Sequence, residues 1–327
     1  MKLIAKTTNR QLRIRGALYR SLHSNASEDD LRRQSLRSAR AMSLLRHWKP
    51  KGIRISQEWA VRPDGSLLRL LVCSPLEPQR QAPGVLWLHG GGYIFGCPEM
   101  EISLYRQLIE QSDCIVVAPD YRKSSEAPYP AALEDSYLAL LWLRDNASRL
   151  SVRDDQIAVG GSSAGGGLAA ALALYARDRG DVAIAFQMPL YPMIDDRSAT
   201  ESARENDAPV WDAVTNMSAW KLYLKDLYGT DDVPAYAAAA RATDYEGLPP
   251  TLTYVGDLEP FRDETTHYVE SLRAAGVPVE FKVFPGCWHA FDFFAPKAEV
   301  SLEAAQFRNR WFRHAVQTYF AEQPTSA

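Results

Sequence analysis

The chain reads as an α/β protein built on a mainly parallel sheet. Three observations predict this: short β-branched runs alternate with helical ones over most of the length, the strand runs are apolar enough to be covered on both faces, and the rhythm resumes after one long interruption. With 327 residues, 46% of them hydrophobic, it has material for one large core with an appendage.

Element by element, "SEDDLRRQSLRSARAMSLLRHW" from Ser27 opens with a capping-box pattern, Ser27 with Asp30 three residues later, and acids in its first turn. Leu31, Ala39, Met42 and Leu45 follow at roughly helical spacing, so the first 50 residues are expected to form two helices. "ISQEWAVRPDGSLLRLLVC" then places two β-like runs around a Pro-Asp-Gly turn, a hairpin signal. After it come strand "GVLWLH", helix "ISLYRQLIEQ", strand "CIVVAP", helix "ALEDSYLALLWLRDNA", strand "QIAVG", helix "AGGGLAAALALYARD" and strand "VAIAFQMPL". Residues 192–247 interrupt with the Trp- and Tyr-rich "PVWDAVTNMSAWKLYLKDLYG". Strand "PTLTYVG", helix "DETTHYVESLRAAG", strand "PVEFKVFPG" and a final helix around "EAAQFRNRWFRHAVQTYF" complete the pattern.

Charge and composition narrow the function classes. The formal net charge of −3 hides a basic first 54 residues, whose only acids are Glu28, Asp29 and Asp30. A docking arm for nucleic acid or an anionic membrane is one reading of that segment, and a solvated helical arm packed on its own acidic body is the other; basic residues interleaved with apolar ones favour the second. No apolar run approaches the roughly 20 residues needed to span a bilayer. The N-terminal stretch lacks a continuous apolar region followed by a small-residue cleavage site, which argues against secretion. Cys73, Cys97, Cys114 and Cys287 are widely spaced with no CxxC pair, so reduced thiols in the cytosol are expected, with neither a disulfide framework nor a metal site.

Three stretches carry chemistry. "VGGSSAGGG", residues 159–167, joins a strand to a helix, and only Ser163 satisfies G-x-S-x-G, flanked by Gly161 and Gly165. A nucleophile on such a strained turn leaves no room for neighbouring Cβ atoms, and the turn sets the hydroxyl at the positive end of the next helix. "WLHGGGYIFG", residues 87–96, follows an earlier strand; its consecutive glycines expose backbone N–H groups able to stabilise an oxyanion. A phosphate cradle is the competing reading, but the Lys-Ser/Thr ending of a P-loop is missing. His89 is expected to shape that loop. "PGCWHAFD", residues 285–292, puts His289 in the loop after the last strand, where the chain order serine, acid, histidine requires a base. His23, His47, His267 and His314 sit in predicted helices. For the acid, "VGDLEPFRDET" offers Asp257, Glu259, Asp263 and Glu264. Pro260 suits the first turn of a helix, which assigns Asp263 and Glu264 to complementing that helix's dipole and leaves Asp257 and Glu259 both open.

Taken together, HGGG at 89–92, "YPAALED" at 129–135, G-x-S-x-G continuing as "SAGGG", "LEPFRDE" at 258–264 and "HAF" at 289–291 resemble the hormone-sensitive lipase family of α/β-hydrolases, particularly its bacterial carboxylesterases. The resemblance covers roughly residues 55–320. It implies an α/β-hydrolase fold with an eight-stranded, mainly parallel sheet flanked by helices and a helical cap: residues 1–50 and 192–247 as cap, 51–191 and 248–327 as the two parts of the core. It implies Ser163 as nucleophile, His289 as base and Glu259 rather than Asp257 as the orienting acid, with backbone N–H groups of Gly91, Gly92 and Ala164 as oxyanion hole. No cofactor is needed. Ser162 departs from the Asp common in relatives before the nucleophile. The implied activity is hydrolysis of small carboxylic esters; Tyr93, Phe95, Trp211, Trp220, Tyr223 and Phe291 are candidate pocket walls or equally cap core, and the aromatics of the insertion point to short- to medium-chain acyl groups. A lactone or amide hydrolase would share these residues, and the plant gibberellin receptors resemble the family without its histidine. Nucleic acid and a membrane span are not expected as partners, and a homodimer is compatible with the sequence.

Overall fold

The computed structural model describes residues 7–23, 25–45, 50–77 and 81–324; residues 1–6, His47 and the side chains of His23 and Ala39 lie outside the described part. Two helices come first, α1 (Arg13–His23) and α2 (Glu28–Leu45). At the start of α2 the capping box forms reciprocally: the Asp30 N–H donates to Ser27 Oγ at 3.2 Å and the Ser27 N–H to Asp30 Oδ2 at 3.1 Å.

The body contains β1 (Ile53–Val61), β2 (Leu67–Pro75), β3 (Ala82–Leu88), α3 (Ile102–Ser112), β4 (Ile115–Pro119), α4 (Ala131–Asp145), α5 (Ala147–Leu150), β5 (Val152–Ser162), α6 (Ala164–Arg179) and β6 (Phe186–Leu190). After the short α7 (Glu201–Arg204) and α8 (Ala213–Leu224) come β7 (Thr251–Gly256), α9 (Arg262–Ala274), β8 (Val279–Phe284), α10 (Phe291–Phe294) and α11 (Glu299–Thr318). The described strands form one eight-stranded sheet in the order β1-β2-β4-β3-β5-β6-β7-β8. β2 runs antiparallel to β1 and β4, and the pairs from β4 to β8 are parallel. The central strands β3, β4 and β6 are buried along their whole length, the expected state of parallel strands with helices on both faces.

Several boundaries differ from the expected ones; β5 and α11 each begin four residues early, and two others have a local cause. The apolar run from Val182 becomes strand only at Phe186: Val182 is buried without being strand, because hydrophobicity reports burial and not pairing. The run ending in "RDNA" breaks at Asn146, whose Nδ2 donates to the Trp142 carbonyl at 2.9 Å and ends α4.

The N-terminal helices lie on the interrupting segment. The Asn25 N–H donates to Asp212 Oδ2 at 2.6 Å, the Ala26 N–H to Thr215 Oγ1 at 3.2 Å, and Arg20 pairs with Asp207. Arg15 also donates to the Phe294 carbonyl at 2.6 Å, so arginines of the basic segment are engaged with the body. Among the described residues no helix is long and apolar enough to cross a membrane.

Candidate active site

β5 ends at Ser162 and α6 begins at Ala164, leaving Ser163 alone in the turn with φ 58° and ψ −120°. Holding a serine there is strained and requires surrounding structure to impose it. The flanking glycines allow it: a Cβ on Gly161 would lie 2.2 Å from the Gly165 carbonyl oxygen, and one on Gly165 would lie 2.0 Å from that of Leu88. The end of β5, the first turn of α6 and the end of β3 thus interlock through positions where only glycine fits. The Ser163 N–H donates to the Leu190 carbonyl at 3.0 Å, which fixes the turn to β6.

His289, in the loop between β8 and α10, places Nε2 2.8 Å from Ser163 Oγ. Its Nδ1 is 2.5 Å from Glu259 Oε2. Both side chains are buried, and Phe261 and Tyr191 meet the imidazole edge-on with ring centroids 4.9 and 5.3 Å away. Glu259 also accepts from the Gly256 N–H at 2.7 Å through Oε1. Burial pushes its carboxyl upward, while His289 and the Gly256 N–H favour the ionised form.

The other acids have different partners. Asp257 turns to the opposite loop, where Oδ1 accepts from the N–H groups of Gly286 at 2.7 Å and Cys287 at 3.3 Å. It therefore braces the histidine loop from below. Asp263 accepts from the Ser202 N–H at 2.8 Å, and buried Glu264 from the Ile194 N–H at 2.9 Å. These two tie the start of α9 to the segment after β6, a more specific task than complementing a dipole.

Gly91 and Gly92 stand in the glycine loop at φ 125° and 61°, and the loop presses against the elbow: a Cβ on Gly90 would be 3.5 Å from that of Ser163. Gly90, Gly91, Gly92, Ser163 and His289 open on one cavity of about 220 Å³. Ala164, the first residue of α6, is buried next to Ser163 and does not itself line the cavity. His89 keeps a shaping position, with Nδ1 2.8 Å from the Gly90 carbonyl and its ring stacked on Tyr121 at 4.2 Å. Burial lowers its pKa to about 3, so it is held neutral.

The cavity divides the candidate aromatics between wall and core. Phe95 and Trp211 line it, but Tyr93, Trp220, Tyr223 and Phe291 do not. Tyr93 stacks on Tyr223 at 4.0 Å with Trp220 5.5 Å away, and Phe291 packs on Phe284 at 5.5 Å; all are core. An aromatic rich in apolar area is drawn into whichever core is nearest, so residue type alone cannot separate wall from core. Tyr19, Leu31 and Gln34 from the N-terminal helices and Phe293 and Phe294 from α10 are walls that sequence reasoning missed. It also missed Glu101, a buried carboxylate just before α3 that reaches Ser162. No local pattern marks it. Among the described residues no three His, Cys, Asp or Glu side chains converge as a metal site.

A family model described as alpha/beta hydrolase fold matches residues 85–293. The chain is 38% identical over 246 residues to "Esterase LipI" of Mycobacterium tuberculosis, covering 74% of this chain and 76% of that protein. It is 36% identical over 225 residues to "Carboxylesterase NlhH" of the same organism, covering 68% and 70%. Among solved structures, "Bacterial Heroin Esterase" superposes with a TM-score of 0.87 at 33% identity, covering 95% of this chain and 98% of that one.

Proposed function

The chain belongs to the hormone-sensitive lipase family of α/β-hydrolases, and from that premise we propose that it is a serine carboxylesterase with Ser163 as nucleophile, His289 as base and Glu259 as the acid that orients the base. The observation that carries the reading is the continuous contact from Ser163 Oγ through the His289 ring to Glu259, opening on an apolar cavity.

In this mechanism His289 Nε2 takes the Ser163 proton as Oγ attacks the ester carbonyl, and Glu259 holds the proton on Nδ1 and stabilises the imidazolium. In this reading the N–H groups of Gly91, Gly92 and Ala164 meet the charge developing on the carbonyl oxygen. The imidazolium then protonates the departing alkoxide. Water, deprotonated by the same nitrogen, attacks the acyl-serine and releases the acid.

A cavity of about 220 Å³ is below the usual range for drug-sized ligands, and this supports short- to medium-chain acyl esters as substrates. The cap in this proposal is residues 1–50 with 192–247, supported by Tyr19, Leu31, Val210, Trp211 and Thr215 on the cavity wall. A cytosolic setting is supported by four buried, free cysteines. The test is labelling with a fluorophosphonate followed by peptide mass spectrometry, together with turnover of p-nitrophenyl esters of increasing acyl length. Adduct at Ser163 and turnover of short esters support the assignment; a label elsewhere, or none, overturns it.

A further inference from the structure

Glu101 lies outside the triad, yet three donors from three parts of the site converge on its carboxylate. Trp87 Nε1–H at the end of β3 donates to Oε2 at 2.6 Å, the Gly90 N–H of the glycine loop to Oε1 at 2.8 Å, and Ser162 O–H, beside the nucleophile, to Oε2 at 3.0 Å. The side chain is almost fully buried and borders the same cavity as Ser163 and His289. A carboxylate with three donors in a dry setting is a strong, directional clamp. Its two oxygens join the loop that carries Gly91 and Gly92 to the turn that carries Ser163.

We propose that Glu101 is a positioning residue for ester hydrolysis: its ionised carboxylate holds the oxyanion loop in register with the nucleophile, and its protonation releases that register. The inference rests on the esterase reading of the site. A proton on Oε1 would confront the Gly90 N–H, and one on Oε2 the Trp87 N–H. Only the Ser162 hydroxyl can turn round and accept, which puts the proton on Oε2 and leaves the Gly90 N–H facing a neutral carbonyl oxygen. Loss of the charge-assisted bond weakens the hold on Gly90, and small displacements of groups aimed at a transition state are costly in rate.

The surroundings bring this change into the working range. Burial pushes the Glu101 carboxyl up to about 7 against the pull of its three donors. The other groups facing it are Tyr105 on α3, Tyr121 after β4, Tyr191 after β6 and Asp292 on α10, with His289 on the wall of the same cavity and Glu259 buried behind it. Burial holds the three tyrosines neutral, and the Asp292 charge disfavours a second charge at Glu101.

The experiment is kcat and KM for p-nitrophenyl butyrate between about pH 5 and 9 in the wild type, Glu101→Gln and Ser162→Ala, with circular dichroism and thermal unfolding of each. In the wild type, protonation of Glu101 should steepen the fall of kcat on the acid side. Glu101→Gln should lose that component, with plateau kcat lower by roughly 10- to 100-fold and KM within about two-fold. Superimposable profiles with equal plateaus would overturn the proposal. If Glu101→Gln fails to fold, Ser162→Ala carries the test: losing one donor to the ionised form should move the acid limb up by roughly half to one pH unit, and an unmoved limb refutes the clamp. Absence of turnover and of fluorophosphonate labelling in the wild type would instead overturn the esterase reading itself.

Discussion

Asp257 and Glu259, two residues apart in one loop, turn their carboxylates to opposite ends of the histidine loop: Glu259 Oε2 lies 2.5 Å from His289 Nδ1, and Asp257 Oδ1 accepts from the Gly286 N–H at 2.7 Å. One aims the ring and the other braces its support. Glu259→Gln should therefore cost about 10³- to 10⁴-fold in kcat, as loss of an orienting carboxylate favours the wrong imidazole tautomer. Asp257→Asn, whose Oδ1 can still accept, should cost about 10-fold or less. Steady-state kinetics of both variants near pH 8 checks this; a near-normal Glu259→Gln beside an inactive Asp257→Asn would reverse the roles.

The adjacent serines make a second pair. Ser163→Ala removes the group facing His289 Nε2 and should lose about 10⁴-fold or more in kcat with an unchanged circular dichroism spectrum. Ser162→Ala, which removes a contact to Glu101 but leaves Ser163 in place, should keep substantial activity at alkaline pH. The reverse ranking would place the nucleophile at 162.

Trp211 lies over the glycine loop, so that a Cβ on Gly92 would meet its ring at 2.2 Å. Trp211→Ala should enlarge the cavity and move the acyl optimum from short- and medium-chain esters toward longer chains. Measuring kcat/KM along a p-nitrophenyl ester series decides this, and an unmoved optimum would show that Trp211 does not limit the acyl site.

Leu31 on α2 is buried and borders the cavity. Leu31→Ala should lower stability by about 2–4 kcal/mol, within the range for Leu→Ala in cores, and raise KM more than it lowers kcat. Denaturant unfolding and kinetics on one preparation test both; unchanged KM would mean that the N-terminal helices roof the core but not the substrate.

Asp135, the last residue of "YPAALED", is 1% exposed and pairs with Arg62 Nε at 2.7 Å and Arg122 Nη2 at 3.0 Å. It pins the end of the β1-β2 hairpin to α4. Asp135→Ala leaves the nearly buried Arg62 guanidinium without its carboxylate, with the Leu67 carbonyl and the Ser66 hydroxyl as its remaining acceptors, and should destabilise by about 3 kcal/mol with KM unaffected. A melting temperature equal to wild type would show that the pair is replaceable by water.

Much of this molecule was legible from local pattern. The strand and helix rhythm, the hairpin and the capping box at Ser27 follow from side-chain period and turn chemistry, which act over a few residues and leave their mark in any sequence. The positions of Ser163 and His289 were legible for a related reason: a glycine-flanked turn and a loop at a strand's end are local constraints, and chain order supplied the rest. Boundaries were less legible where burial and pairing part company, as at Val182.

What only the tertiary structure decided is which groups meet. Four acids within "VGDLEPFRDET" are chemically alike, and their division among His289, Gly286, Ser202 and Ile194 depends on loops from β8 and from the segment after β6. The same holds for Tyr93 and Trp220 in the core against Tyr19 and Phe294 on the cavity wall, and for Glu101 beneath the glycine loop. By itself the sequence determined the elements and the residue types at their ends, because these are encoded within a turn or two of chain. Contacts between residues as far apart as Glu101 and Ser162 or Ser163 and His289 exist only once the sheet has brought their loops to one edge, and a side chain's partner is set by that closeness and not by its neighbours in sequence.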